Sequence, residues 1–268
     1  MIRLLETYLF EPIASLFGLP KEQLKLVWCV LASYPLCGIL KRLPDSKPVL
    51  KNLFSIAVSL FFLLGIFDLI TGLLTMLISA LGTYQIASKL RNPFMPWICF
   101  VLVMGHMSVT HIWRLYYGND ELVDISGAQM VLCMKLTAYA WNVYDGRLKQ
   151  ETLTPIQRKH CLPAPPGILD FLGYVFFFPS LLTGPSYDYA EYKNWIDTSM
   201  FDENIPSRNG KLKKRRIPRS GRPGMYRAVQ GILWLFAFAK FTGPYNTRFA
   251  LSDSFLDYSF LRRYDNPI

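Results

Sequence analysis

Histidine is the side chain best suited to take or give a proton near neutral pH, and this chain has three: His106, His111 and His160. His106 and His111 stand five residues apart in Val103-Met-Gly-His-Met-Ser-Val-Thr-His111. That spacing is about 140° around a helix, so the two share no face and cannot chelate one metal. His160 lies in a proline-rich stretch. Each histidine reads first as a hydrogen-bonded packing residue, and neither a metal nor a cofactor is expected. Two further ionic side chains sit in apolar surroundings, Asp68 and Lys135. Asp68 reads as the turn residue at the tip of a hairpin in preference to an intramembrane ion site, since nothing nearby supplies a cation. Lys135 either faces the bundle interior as a substrate contact or snorkels on its long stem to the membrane interface.

The elements that would position these groups are membrane helices. The 268 residues are 51% hydrophobic and 18% charged, with a mean hydropathy of +0.22, outside the usual soluble range. The longest apolar region, residues 52–88, holds 37 residues with Asp68 as its one ionic side chain. As a single helix it would be roughly 55 Å long against a hydrocarbon core of about 30 Å, so two short spans meeting near Gly65–Gly72 are expected. Further spans are expected over 26–40, 93–113 and 124–144, over 171–187, and from residue 228, about seven in all. Pro179 inside 171–187 predicts a kink, provided neighbouring helices cover the freed carbonyl. Gly184-Pro185 ends that run, and the aromatic-acidic segment after it, with Tyr187, Asp188, Tyr189, Tyr192 and Trp195, has the composition of a chain leaving through the headgroup layer. Residues 1–22 read as an amphipathic helix lying on the membrane surface, with no removed leader. Residues 152–167 read as a loop.

The net charge of +10 is one patch. Residues 1–204 carry 16 basic and 16 acidic side chains, whereas 205–268 carry 13 basic against 3 acidic. The loop 205–227, with Lys213, Lys214, Arg215 and Arg216, lies between membrane helices, which argues for cytosolic orientation and against nucleic acid. It is also a candidate patch for anionic headgroups or other phosphate groups. The five cysteines show no C-x-x-C pair and read as small packing hydrophobes.

Three ordered segments carry a family resemblance. Leu182-Thr-Gly-Pro-Ser-Tyr-Asp-Tyr-Ala-Glu-Tyr192, the His106–His111 segment, and Asp124-Ile-Ser-Gly-Ala-Gln-Met-Val-Leu-Cys-Met-Lys135 continuing to Trp141-Asn-Val-Tyr-Asp-Gly146 resemble membrane-bound O-acyltransferases of the lysophospholipid-remodelling type. The fungal broad-specificity enzymes are the most similar, and the resemblance runs over about residues 31–234. It implies an all-α polytopic transmembrane bundle over 23–268, an endoplasmic-reticulum membrane location, and acyl transfer from acyl-CoA, as co-substrate, to a lysophospholipid hydroxyl. The family's essential histidine lies in a Trp-His-Gly setting that this sequence lacks, and Trp141-Asn142 matches an N-terminal helix of the family instead of its asparagine site. His106 and His111 also fail the His-x4-Asp pattern of soluble-type glycerolipid acyltransferases. No catalytic residue is therefore expected in this chain, which reads as the N-terminal portion of such an enzyme and is expected to be inactive alone. His106, Lys135, Gly184, Pro185, Asp188 and Tyr189 are the expected substrate-tunnel or headgroup contacts. The alternative is a non-enzymatic membrane scaffold or transporter fragment in which Asp68, Lys135 and His106 line a polar path.

Overall fold

The computed structural model describes residues 10–12, 21–117, 125–201 and 221–242. The expected surface helix over 1–22 and the tetrad Lys213–Arg216 lie outside the described residues, apart from positions 10–12, 21 and 22. All regular structure among the described residues is helical. In chain order it comprises α1 (Lys21–Leu40), α2 (Pro48–Leu60) continuing as a π-helical turn (Phe61–Ile66), α3 (Ile70–Lys89), α4 (Met95–Tyr117) and α5 (Ser126–Asp145). The short helices α6 (Pro155–His160), α7 (Ile168–Val175) and α8 (Tyr189–Ile196) follow, and then α9 (Gly221–Thr242). Two compact units are distinguished, Met1–Ile217 and Pro218–Ile268. In the second, α9 begins seven residues before the expected start at 228, and Arg227 Nη1 donates to Gln230 Oε1 at 3.0 Å.

Four helical segments, Lys21–Leu40, Pro48–Ile66, Ile70–Lys89 and Met95–Tyr117, are long and apolar enough to cross a bilayer. Of the roughly seven expected spans, these four meet that standard among the described residues; the helices over 126–145 and 221–242 and the run 171–187 do not. The split of 52–88 into two spans holds, and the junction is where Asp68 sits. Asp68 has φ +54°, is exposed, and occupies the turn between the π-helical segment and α3. A left-handed backbone position is one that aspartate tolerates better than most residues and glycine tolerates freely. Asp68→Gly is therefore expected to leave thermal unfolding within error of wild type. A clearly lower Tm in that variant would show that the Asp68 carboxylate does more than occupy a turn.

The α5 helix is the centre of the first unit. Twelve of its twenty residues are buried, among them Gln129, Lys135, Asn142 and Asp145. It runs antiparallel to α4 in a register pinned by Trp141 against Trp97 at 5.5 Å between ring centroids, the Cys133 and Met104 sulfurs at 3.2 Å, and Arg114 Nη1 on Ser126 Oγ at 3.2 Å. A helix buried on this many sides can carry polar groups only where other elements satisfy them. After Gly146 the chain returns to α5, and the Leu162 N–H donates to the Asn142 carbonyl at 2.8 Å. The stretch expected as a loop over 152–167 contains α6, started by a capping box between Thr154 and Gln157. The Thr-Pro-Ile-Gln sequence encodes that start, with proline at the first helical position.

The apolar run 171–187 does not kink. It breaks: α7 ends at Val175, only Phe178–Ser180 resumes a 3-10 turn, and the eight residues of α7 reach about 12 Å. Pro179 has no N–H to give and its ring opposes the carbonyl four residues back, so continuation is blocked. Backbone freed inside a membrane bundle must find donors from neighbours, and a stripe on α2 supplies them. Ser55 and Ser59 both donate to the Phe176 carbonyl, at 3.2 and 2.6 Å. One turn earlier on the same stripe, Asn52 donates to Asp170 Oδ1 and accepts from Tyr192 Oη, both at 2.6 Å. Lys51 reaches the carbonyl of Ile196 at the end of α8, at 2.7 Å, and Asp45 at 2.6 Å. Arg147 does the same for α3, bonding the Leu90 carbonyl at 2.7 Å and that of Ala87. Basic side chains from other elements thus complete helix C-termini, where the macrodipole favours positive charge.

The segment after Gly184-Pro185 also departs from expectation. Gly184 has φ +79° and precedes a cis peptide bond to Pro185. The chain turns back there, and α8 lies against α7 instead of leading outward, with Tyr189 and Tyr192 each 3% exposed. Gly173 permits the approach: a Cβ there would stand 2.6 Å from Tyr192 Oη and 2.8 Å from Asn52 Oδ1. Burial pushes the Tyr189 and Tyr192 phenols well above their ordinary range, so they act as neutral hydroxyls.

Candidate functional site

The α5 helix, the broken α7 segment and the 184–188 turn converge on Lys135. Its side chain faces the interior, 1% exposed, and does not snorkel. The ammonium donates to the Tyr174 carbonyl at 2.6 Å and to Tyr187 Oη at 3.3 Å. It also lies 4.7 Å from the centroid of each of those rings. The Tyr174 carbonyl is one that the break in α7 leaves without a helical donor, so Lys135 serves as its cap and adds cation–π contact with both rings. The cage is closed by further bonds: Tyr174 Oη donates to the Lys135 carbonyl at 3.2 Å and the Tyr187 carbonyl at 2.9 Å. The Tyr187 and Ser180 hydroxyls are 3.0 Å apart.

One residue further along, the same turn is held by a different set. Asp188 Oδ1 accepts from Asn142 Nδ2 at 3.1 Å, and Asp188 Oδ2 lies 2.7 Å from His160 Nδ1. Since Lys135 and Asn142 are seven residues apart on α5, one helix face grips both Tyr187 and Asp188. His160 Nε2 has no hydrogen-bond partner among the described residues and is 3.8 Å from Glu191 Oε1. Near by, Gln157 Nε2 reaches Asp145 Oδ1 at 3.4 Å; burial raises the Asp145 carboxyl above its ordinary range, and this amide opposes the shift.

The structure therefore brings together Lys135, Gly184, Asp188 and Tyr189 of the expected contacts. Gly184 packs on α5, where its Cβ position is 3.5 Å from Val131 Cγ2, and Pro185 is exposed on the rim. His106 is not in this group. It sits on α4 with Nδ1 2.7 Å from Ser79 Oγ of α3, the packing role expected of it. No hydrogen bond or ion pair among the described residues joins Asp68, His106 and Lys135, so the polar path of the transporter alternative is not assembled there. Sequence reasoning passed over Tyr174, Ser180 and the His160–Asp188 pair. A signal for the tyrosines was present: a lysine in an apolar helix needs acceptors, and 174–192 is where the sequence concentrates phenols. No group of three or more metal-ligating side chains is assembled among the described residues.

A second feature is apolar. Trp28, Ala32, Pro35 and Leu36 of α1, with Phe54, Ala57, Val58, Phe61 and Phe62 of α2 and its π-turn, line a cleft of about 480 Å³. Pro35 within α1 and the widened turn at Phe61–Ile66 interrupt regular helix packing on either side of it.

The profile of the MBOAT, membrane-bound O-acyltransferase family matches residues 110–264. The chain is 44% identical over 255 residues to a lysophospholipid acyltransferase of Schizosaccharomyces pombe, which covers 95% of this chain and 49% of that protein. It is 38% identical over 231 residues to a lysophospholipid acyltransferase of Saccharomyces cerevisiae, covering 82% of this chain and 37% of the relative. A mouse protein, membrane-bound glycerophospholipid O-acyltransferase 2, is 31% identical over 209 residues, 76% of this chain and 40% of its own length. The chain spans about half the length, or less, of these curated relatives. With the family profile covering more than half of its residues and these identities around it, the chain belongs to the membrane-bound O-acyltransferase family.

Proposed function

We propose that the protein transfers an acyl group from acyl-CoA to the free hydroxyl of a lysophospholipid, remodelling phospholipids in the endoplasmic-reticulum membrane, and that the described residues form part of its substrate-binding wall. The observation that carries this reading is the 44% identity, over 95% of the chain, to a protein named lysophospholipid acyltransferase. The geometry agrees with a wall in two ways. The Lys135 cage and the 184–188 turn give a polar centre set among membrane helices. The apolar cleft between α1 and α2 gives room of the kind an acyl chain needs.

Acyl transfer requires a base for the hydroxyl proton and a donor for the developing oxyanion. We assign neither to His106, whose Nδ1 is engaged by Ser79. The chain's part is to bind and orient. Membranes carrying the protein expressed from its full-length gene are expected to convert labelled acyl-CoA and a lysophospholipid into diacyl phospholipid. Absence of that product, with the protein present and folded, overturns the reading.

A further inference from the structure

Three lysines are buried among the described residues, and they are not equivalent. Lys25 pairs with Glu22 at 2.9 Å and Lys51 with Asp45 at 2.6 Å. Lys135, the most buried at 1% exposure, meets no carboxylate among the described residues. Its partners are a backbone carbonyl, a phenol at the long distance of 3.3 Å, and two ring faces. An ammonium inside a helical bundle costs several kcal/mol unless it is charge-compensated, and neutral acceptors compensate it only in part. Its cage is also unevenly closed. Tyr174 is fully buried, whereas Tyr187 is only partly buried and follows Pro185 and Ser186, both exposed, in the turn that begins at Gly184. Of the cation's partners the Tyr187 phenol is the one that belongs to this turn, and its hydroxyl also lies 3.0 Å from that of Ser180.

We propose that Lys135 is an anion-binding group whose ligand is a phosphate oxyanion of a substrate, and that the Tyr187 phenol is an internal stand-in which the phosphate displaces. The inference rests on the acyltransferase reading, because both substrates of that reaction carry phosphate: the lysophospholipid as a diester, coenzyme A as diphosphate and monoester. The chemistry fits the cage. A phosphate oxygen accepting from the ammonium adds the attraction of opposite charges to a bond that, with the phenol, is charged on the donor side alone. The Tyr174 carbonyl stays in place as the second acceptor and holds the side chain aimed at the turn.

A purely structural peg and a guarded anion site differ in what Tyr187→Phe does. Removing the phenol oxygen takes a hydrogen bond from the cage, so both roles predict a somewhat lower Tm. The anion site also predicts tighter phosphate binding, because the competitor for the ammonium is gone. The experiment uses the full-length protein purified in detergent, with Kd measured for lysophosphatidylcholine, for coenzyme A, and for a monoacylglycerol of the same chain length that lacks phosphate. Lys135→Met is expected to weaken one of the phosphate ligands about tenfold, Lys135→Arg to retain it, and Tyr187→Phe to tighten it about threefold, with monoacylglycerol unaffected throughout. Loss confined to lysophosphatidylcholine assigns the headgroup diester as the ligand, and loss confined to coenzyme A assigns the nucleotide phosphates. Unchanged Kd in Lys135→Met, or weaker phosphate binding in Tyr187→Phe, overturns the proposal. If wild type transfers acyl groups while Lys135→Met binds both phosphate ligands normally, the anion role alone fails. If wild type transfers nothing and binds neither, the function reading fails and takes this inference with it.

Discussion

Gly146→Ala is expected to cost the protein roughly 3 kcal/mol or more, enough to lower its Tm by about 10 °C, although it adds a single carbon. A Cβ at position 146 would stand 1.8 Å from the Leu162 carbonyl oxygen and 2.2 Å from its carbon. These are backbone atoms, so no side-chain rotation relieves the overlap. The returning strand of loop is not free to retreat, because the Leu162 N–H is bonded to the Asn142 carbonyl at 2.8 Å and, two residues before, His160 is held to Asp188 at 2.7 Å. Thermal unfolding of the purified variant checks this. A wild-type Tm would mean that the loop does not pack on the end of α5 as described.

The second large effect is expected at Lys135, where replacement by methionine keeps the length of the stem and removes the ammonium. The Tyr174 carbonyl then has no donor inside the bundle, and the Tyr187 phenol loses one of its two partners. An orphaned buried carbonyl costs about 1–3 kcal/mol, and the lost cation–π contacts add about 1 kcal/mol more. Relief of the ammonium's own desolvation works in the opposite direction, so a net loss of about 2 kcal/mol is expected. Limited proteolysis and thermal unfolding read this loss, and increased cleavage near the 184–188 turn should accompany it. A variant more stable than wild type would show that the cost of burying the charge exceeds everything the cage returns.

The two effects differ in how far the sequence announced them. Gly146 is visible as the end of an apolar helix, and nothing local shows that the chain comes back sixteen residues later to rest on it. Lys135 is visible as an ionic group in an apolar run, which is enough to mark it, but its orientation depends on where Pro179 breaks another element. The spans themselves were legible, because hydrophobic length and the charged residues that bracket it are local properties: α1 through α4 fall where the composition puts them. The tip of the hairpin at Asp68 was legible for the same reason.

What failed were expectations that treated one segment as if it stood alone in lipid. Residues 171–187 are apolar enough for a span, yet the carbonyls of Phe176 and Tyr174 at the break before Pro179 are met by Ser55, Ser59 and Lys135. With those donors available, a broken element costs little and the proline need not be bent around. Likewise Tyr187, Tyr189 and Tyr192 have the composition of an interfacial belt, but the turn at Gly184 and the missing side chain of Gly173 let them fold inward. Amphipathic aromatics satisfy their hydroxyls equally well at a membrane interface or on Asn52 and Lys135, and only the tertiary partners decide between the two.

Acyl transfer measured in membranes that carry the full-length protein, with and without Lys135→Arg and Lys135→Met, bears directly on whether these helices form the substrate-binding wall of an acyltransferase. Wild type and Lys135→Arg are expected to make diacyl phospholipid from acyl-CoA and lysophospholipid, and Lys135→Met, assayed at equal folded amount, to show a raised KM for the substrate whose phosphate it holds. Transfer by wild type with the same KM in folded Lys135→Met would leave the cage a structural feature only, and no transfer by folded wild type would contradict the acyltransferase reading itself.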